Sequence, residues 1–168
     1  SAQHVFEDQY HLKETFPYLF AALAVSIGTS TFLNGTLVLR FGMRKLALIA
    51  LISFTLLSLS YVFFFWNGGN PNVIVLMVFL SLIFFCLGFI WGNMRSIAME
   101  PIGHIAGIGA AITGFISTLV SIPIATFIGS FVTITVLPLF IGLSICGALA
   151  IIIFLIFKQP ASEVVLER

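Results

Sequence analysis

The chain has 168 residues, of which 60% are hydrophobic and 8% charged, with a mean hydropathy of +1.20 and a formal net charge of +1. Soluble domains carry about 25% charged residues, so this composition excludes one and points to an all-α, multi-pass membrane protein in a lipid bilayer. Seven Lys and Arg, placed at the ends of apolar runs, are too few for a nucleic-acid partner.

Residues 1–14 hold the acids Glu7, Asp8 and Glu14, two histidines and one cation, Lys13, and read as a solvent-facing extracytoplasmic segment. No basic stretch leads into a short apolar run with a small-residue cleavage site, so no signal peptide is visible. The opening on Ser1, with the first apolar run only near Phe16, carries the expectation of an interior point in a longer polypeptide. Span one is expected over about 15–39, with Pro17 tolerated in its first turn. Roughly 23 residues at ~1.5 Å rise give about 34 Å, enough to cross a ~30 Å hydrocarbon core with modest tilt.

Between Gly35 and Lys45 the chain places Arg40, Arg44 and Lys45, three of its seven cations, between two runs that carry no charge. Three such residues at the centre of a bilayer would cost about 8–10 kcal/mol on insertion scales. They therefore lie at a membrane surface, and by the positive-inside rule that surface is cytoplasmic. Asn34-Gly35-Thr36 matches a glycosylation sequon but falls at this cytoplasmic end, so it is set aside.

Span two is expected over about 45–66 and ends in Asn67-Gly68-Gly69-Asn70-Pro71-Asn72, whose turn formers stop the helix and leave Trp66 at the interface. Span three follows over about 73–94. Charge then returns with Arg95, Glu100 and His104 in an expected interfacial loop. Arg95 and Glu100 read either as a weak pair before a helix started by Pro101, or, with His104, as a gate contact. Span four covers about 105–132, with Pro123 as an expected kink, and a short turn near Thr133 leads to span five over about 136–157. Residues 158–168 form a polar tail.

Five spans put the two ends on opposite sides. With the Gly35–Lys45 loop inside, Arg40, Arg44, Lys45, Arg95, Lys158 and Arg168 are cytoplasmic and Lys13 alone is outside, which makes the chain N-out and C-in.

Small residues mark where helices approach closely in lipid. Gly88 and Gly92 have GxxxG spacing in span three, and Gly103, Gly107, Gly109, Ala110, Ala111 and Gly114 form a small face around span four. Plain helix packing explains any one pair. Span four adds Ser117, Ser121 and Pro123 in one helix, and Gly107, Gly114 and Pro123 would let it flex. Asn34, Ser117 and Ser121 are the candidates to line a cavity. No span has an internal carboxylate of the kind a proton-coupled carrier uses. Cys86 and Cys146 stand alone in apolar runs and read as packing residues. No catalytic, metal-ligand or cofactor motif is present, so the residues point away from an enzyme.

The spacing Gly35, Arg40, Gly42, Arg44, Lys45 between two spans resembles the second-half copy of the loop motif of the major facilitator superfamily. Leu39 stands where that pattern has an acid, and Met43 where it has a cation. The stretch Ala98–Gly107, followed by Ala110-Ala111, Gly114 and Ser117, is similar to the boundary of helices ten and eleven in Bcr/CflA-type drug:proton antiporters. That resemblance covers nearly the whole chain and maps its five spans onto helices eight to twelve.

It implies a bacterial inner-membrane protein that exports small amphipathic drugs or metabolites in exchange for protons. It also implies that the first seven helices of the carrier are a partner this chain lacks, so that the five helices are inactive alone. In that setting Gly35 and Gly42 permit tight turns, while Arg40 and Arg44 anchor the loop to headgroups, set topology and contact a neighbouring helix end. The competing reading is a stand-alone five-helix structural or partner-stabilising protein that self-associates through Gly88/Gly92 or Gly103/Gly107.

Overall fold

The computed structural model describes residues 16–67, 69–132 and 135–157. The outer segment 1–14, the turn at Thr133 and the tail 158–168 lie outside the described residues. Five α-helices follow in order: α1 (Phe16–Phe41), α2 (Met43–Phe64), α3 (Val73–Met99), α4 (Ala106–Ser130) and α5 (Leu137–Ile156). All five are long and apolar enough to cross a membrane, and the chain is a multi-pass helical membrane protein. A 3-10 segment, Glu100–Ile105, joins α3 to α4.

The connections fix the up-and-down course of the chain. Gly42 alone separates α1 from α2, at φ +78°, a left-handed conformation that a glycine adopts without the steric cost of a Cβ. Gly35, expected in this turn, lies six residues inside α1 instead, because the helix runs on through Arg40 to Phe41. Opposite, Asn72 caps α3 by accepting a hydrogen bond from the Ile74 N–H at 3.1 Å. Asn70 reaches across to the start of α5, its Oδ1 accepting from the Val136 N–H at 3.1 Å.

Helix α3 is the centre of the assembly, packing on α2 along one side and on α1 along another, while α5 packs on the outer side of α2. The α2–α3–α5 contact is an aromatic layer near the Asn70 end. Tyr61 stacks on Phe140 with ring centroids 3.6 Å apart, and the edge of Phe79 meets Tyr61 at 5.2 Å. Such pairs contribute about 0.5–1.5 kcal/mol each beyond simple burial. Further along, Gly147 of α5 lies against Thr55 and Phe54 of α2, leaving no room for a larger side chain.

The GxxxG pair of α3 faces α1. A Cβ on Gly88 would collide with Ser30 Oγ and come within 3.1 Å of the Ile27 carbonyl, and one on Gly92 would sit 3.3 Å from Asn34 Nδ2. This close approach is the packing that small residues permit in lipid, where hydrophobic drive between helices is absent. Of the two faces that the competing reading offers for self-association, Gly88/Gly92 is thus occupied within the chain, while Gly103 and Gly107 have nothing within 4 Å.

Helix α4 differs from the rest. Gly109 is its one buried residue, and no residue of its most apolar stretch is buried, against 44% for the corresponding stretch of α2. It touches α5 where Ile128 packs on Gly142, and its other main contacts among the described residues are with α3 and the 3-10 segment.

Replacing Gly88 by Leu should destabilise the protein by about 1–3 kcal/mol in detergent unfolding, because its side chain overlaps Ser30. Gly103→Leu, with nothing within 4 Å, should shift stability by less than about 0.5 kcal/mol. Equal effects of the two would refute the assigned α1–α3 contact.

Candidate functional site

The polar residues singled out in the sequence fall mainly in three places among the described residues. The first is the Gly42 turn. Arg44, in the first turn of α2, donates from Nη2 to the Phe157 carbonyl at 2.9 Å, just past the end of α5, and its guanidinium lies 5.5 Å from the Phe154 ring centre. A cation there answers the partial negative charge of unsatisfied carbonyls at a helix C-terminus. Arg44 therefore reaches a neighbouring helix end. Lys45 lies 5.7 Å over the Phe41 ring, and Arg40 occupies the last turn of α1.

The second place is the α1–α3 interface. Asn93 is buried and donates from Nδ2 to Asn34 Oδ1 at 2.7 Å, while Asn34 Nδ2 donates to Asn93 Oδ1 at 3.4 Å. Asn93 also donates to the Phe89 carbonyl of its own helix at 2.9 Å. Asn34, expected to line a cavity, is instead half of a reciprocal amide pair that clamps α1 to α3. Lipid offers such amides no alternative partner, so the pair forms where both helices bring one to the same level. Asn93 escaped the sequence reading. Its signal was available: beside Asn34 it is the one asparagine inside an apolar run, directly after Gly92.

The third place is a cleft of about 750 Å³ between the last turns of α3 and the first half of α4. Trp91, Met94, Arg95 and Met99 form one wall, and Thr113, Gly114, Ser117, Thr118 and Ser121 the other. The sequence-stated candidates Arg95, Gly114, Ser117 and Ser121 thus come together here, joined by Trp91, which aromatic-belt reasoning leaves unassigned. Gly107 and Gly114 have open space where a side chain would begin. Pro123 sits inside α4 without interrupting it and gives the Leu119 carbonyl no N–H donor.

The expected loop at residues 95–104 is absent: α3 continues through Arg95 to Met99, and the chain passes directly into the 3-10 segment with Pro101 near its start. Arg95 and Glu100 are five residues apart, so at 100° per residue they project about 140° apart around the axis and form no ion pair. The third member of the expected gate, His104, falls in the 3-10 segment, and its side chain lies outside the described residues.

Among the described residues no buried side-chain nitrogen or oxygen lacks a hydrogen-bond partner. The buried hydroxyls of Thr55, Ser58 and Ser144 all donate to carbonyls four residues back in their own helices. In the cleft Thr113, Thr118 and Ser121 likewise donate to carbonyls of their own helix, while Ser117 makes no hydrogen bond among the described residues. No family model, curated protein or solved structure matches the chain.

A double-mutant cycle with Asn34→Leu and Asn93→Leu should give a coupling energy of about 0.5–1.5 kcal/mol, each single change leaving the other amide unpaired. Additive losses in the same unfolding assay would show that the two amides do not work as a pair.

Proposed function

We propose that this chain is the C-terminal portion of a proton-coupled efflux carrier of the bacterial inner membrane, oriented N-out and C-in and inactive alone. Its cargo is small amphipathic drugs or metabolites. The observation that carries the reading is α4. It brings glycines, hydroxyls and Pro123 into one apolar helix, yet packs almost nothing against them. A helix serving only as a lipid-facing wall has no use for Thr113, Ser117, Thr118 and Ser121 along one cleft, whereas a helix lining a pathway between two halves does.

The resemblance of the Gly35–Lys45 and Ala98–Ser117 stretches to such carriers agrees with that reading. None of the five helices carries a carboxylate, so on this reading the proton-coupling group belongs to the other half. The stand-alone structural reading loses its Gly88/Gly92 face to α1 and keeps its Gly103/Gly107 face, which is open.

The test is complementation. In cells depleted of their own pumps, the chain alone should leave drug susceptibility and dye efflux unchanged, and co-expression with the first seven helices of a related carrier should restore resistance. A stably inserted chain that is never rescued, or one that exports by itself, would overturn the proposal.

Orientation has its own check, in a background with Cys86 and Cys146 replaced by Ala. A membrane-impermeant maleimide should label Gly69→Cys in intact cells and reach Phe41→Cys only after permeabilisation. The reverse pattern would invert the topology.

A further inference from the structure

The cleft between α3 and α4 contains a positive charge that the described chain does not neutralise. Arg95 lies with its guanidinium carbon 5.8 Å from the centre of the Trp91 ring, and no carboxylate among the described residues pairs with it. Its depth gives that charge consequence. Helix α3 spans 27 residues with Cys86 at its middle. Arg95 is nine residues further on, about 13.5 Å at 1.5 Å per residue. That is close to the ~15 Å half-thickness of a hydrocarbon core, which puts the guanidinium at headgroup level, where an anion is its natural partner.

The rest of the cleft defines what the anion is attached to. Trp91, Met94 and Ile116 offer an aromatic face, a thioether and a branched alkyl group, a lining suited to a flat apolar body. On the α4 wall the hydroxyls of Thr113 and Thr118 donate to the carbonyls of Gly109 and Gly114 at 2.7 and 2.8 Å, so their protons are committed. Ser117 makes no hydrogen bond among the described residues and keeps its proton for a ligand. The cleft thus presents a five-donor cation and one free hydroxyl above apolar walls, with no acid to welcome a cation. Its volume of about 750 Å³ falls within the range of pockets that take drug-sized ligands.

The geometry points to a binding site for an organic anion, a carboxylate, sulfonate or phosphate on an aromatic or aliphatic body, held by Arg95 and Ser117 with the body against Trp91. Two sources share this chemistry: an anionic phospholipid and a free amphipathic anion. The site stands on this chain's own residues; taken as the cargo class of the exporter, it rests on the function proposed above.

The experiment uses purified protein in nanodiscs of zwitterionic lipid, with Trp66→Phe so that Trp91 alone reports. Naphthalene-2-sulfonate should quench Trp91 saturably, and the neutral naphthalene-2-sulfonamide, of the same shape, should bind at least tenfold more weakly. Arg95→Gln should abolish the preference for the sulfonate while leaving sulfonamide binding unchanged, and Arg95→Lys should restore part of it. Ser117→Ala should weaken the sulfonate about threefold.

Equal binding of sulfonate and sulfonamide by the parent protein would overturn the inference without reliance on any Arg95 variant. So would an Arg95→Gln protein that keeps its preference. Adding phosphatidylglycerol to the nanodisc separates the sources: displacement of the sulfonate assigns the site to lipid, and undiminished binding assigns it to a free anion. Failure here with intact complementation would remove the anion site alone. Binding without complementation would remove the carrier reading alone.

Discussion

The contact between α1 and α3 at Gly88 and Gly92 is the constraint on which the bundle depends. Within a bilayer, lipid tails are as apolar as leucine, so two helices gain nothing by merely hiding hydrophobic surface from water. They must approach closely enough for dispersion and hydrogen bonds to accumulate. The glycines let the Ile27–Asn34 edge of α1 lie against the backbone of α3, and that approach brings the Asn34 and Asn93 amides within reach of one another. With α1 fixed on one side of α3, the other side is free for α2, and the Tyr61–Phe140 stack carries the packing on to α5.

Four helices are thus joined in a continuous chain of contacts, and the fifth is attached at its ends. Helix α4 is held by the 3-10 segment at one end and by Ile128 against Gly142 at the other. Its middle, with Phe115, Leu119 and Ile122 more than half exposed, depends on lipid or on other protein for its environment. Local stability follows local contact, so α4 is the part of the bundle with least opposition to bending or displacement. Pro123 removes one backbone hydrogen bond in the same helix. The cleft therefore lies between a firmly packed block and its one loosely held helix.

Much of this architecture was legible in the residues. Uninterrupted apolar runs, bounded by cation clusters or by Asn-Gly-Gly-Asn-Pro-Asn, locate all five helices, because the cost of a buried charge leaves few alternatives. The ends were read less well, and for one reason. Arg40 and Arg95 were placed outside helices because charge marks the membrane boundary, but helices extend past that boundary wherever propensity allows, here to Phe41 and Met99. Gly35 was placed in a turn by its motif, although a single glycine at Gly42 suffices to reverse the chain.

The cleft was half legible. Ser117, Ser121 and Gly114 could be named from composition, but helix rotation decides which of the polar residues share a wall, and one sequence does not encode rotation visibly. Asn34 shows this most clearly: the same side chain reads as a cavity group by polarity and proves to be a clamp once Asn93 is seen opposite.

The hydrogen bond from Arg44 to the Phe157 carbonyl joins groups 113 residues apart in the chain. Synthesis at about 5–20 residues per second separates their emergence by roughly 6–23 s. Throughout that interval α1, α2 and α3 can insert and pack, while Arg44 waits at the membrane surface with its helix-end partner not yet made. The bond closes only when α5 arrives beside α2, and it is therefore a late clasp. Its formation marks the moment at which α5 has been delivered in register beside α2.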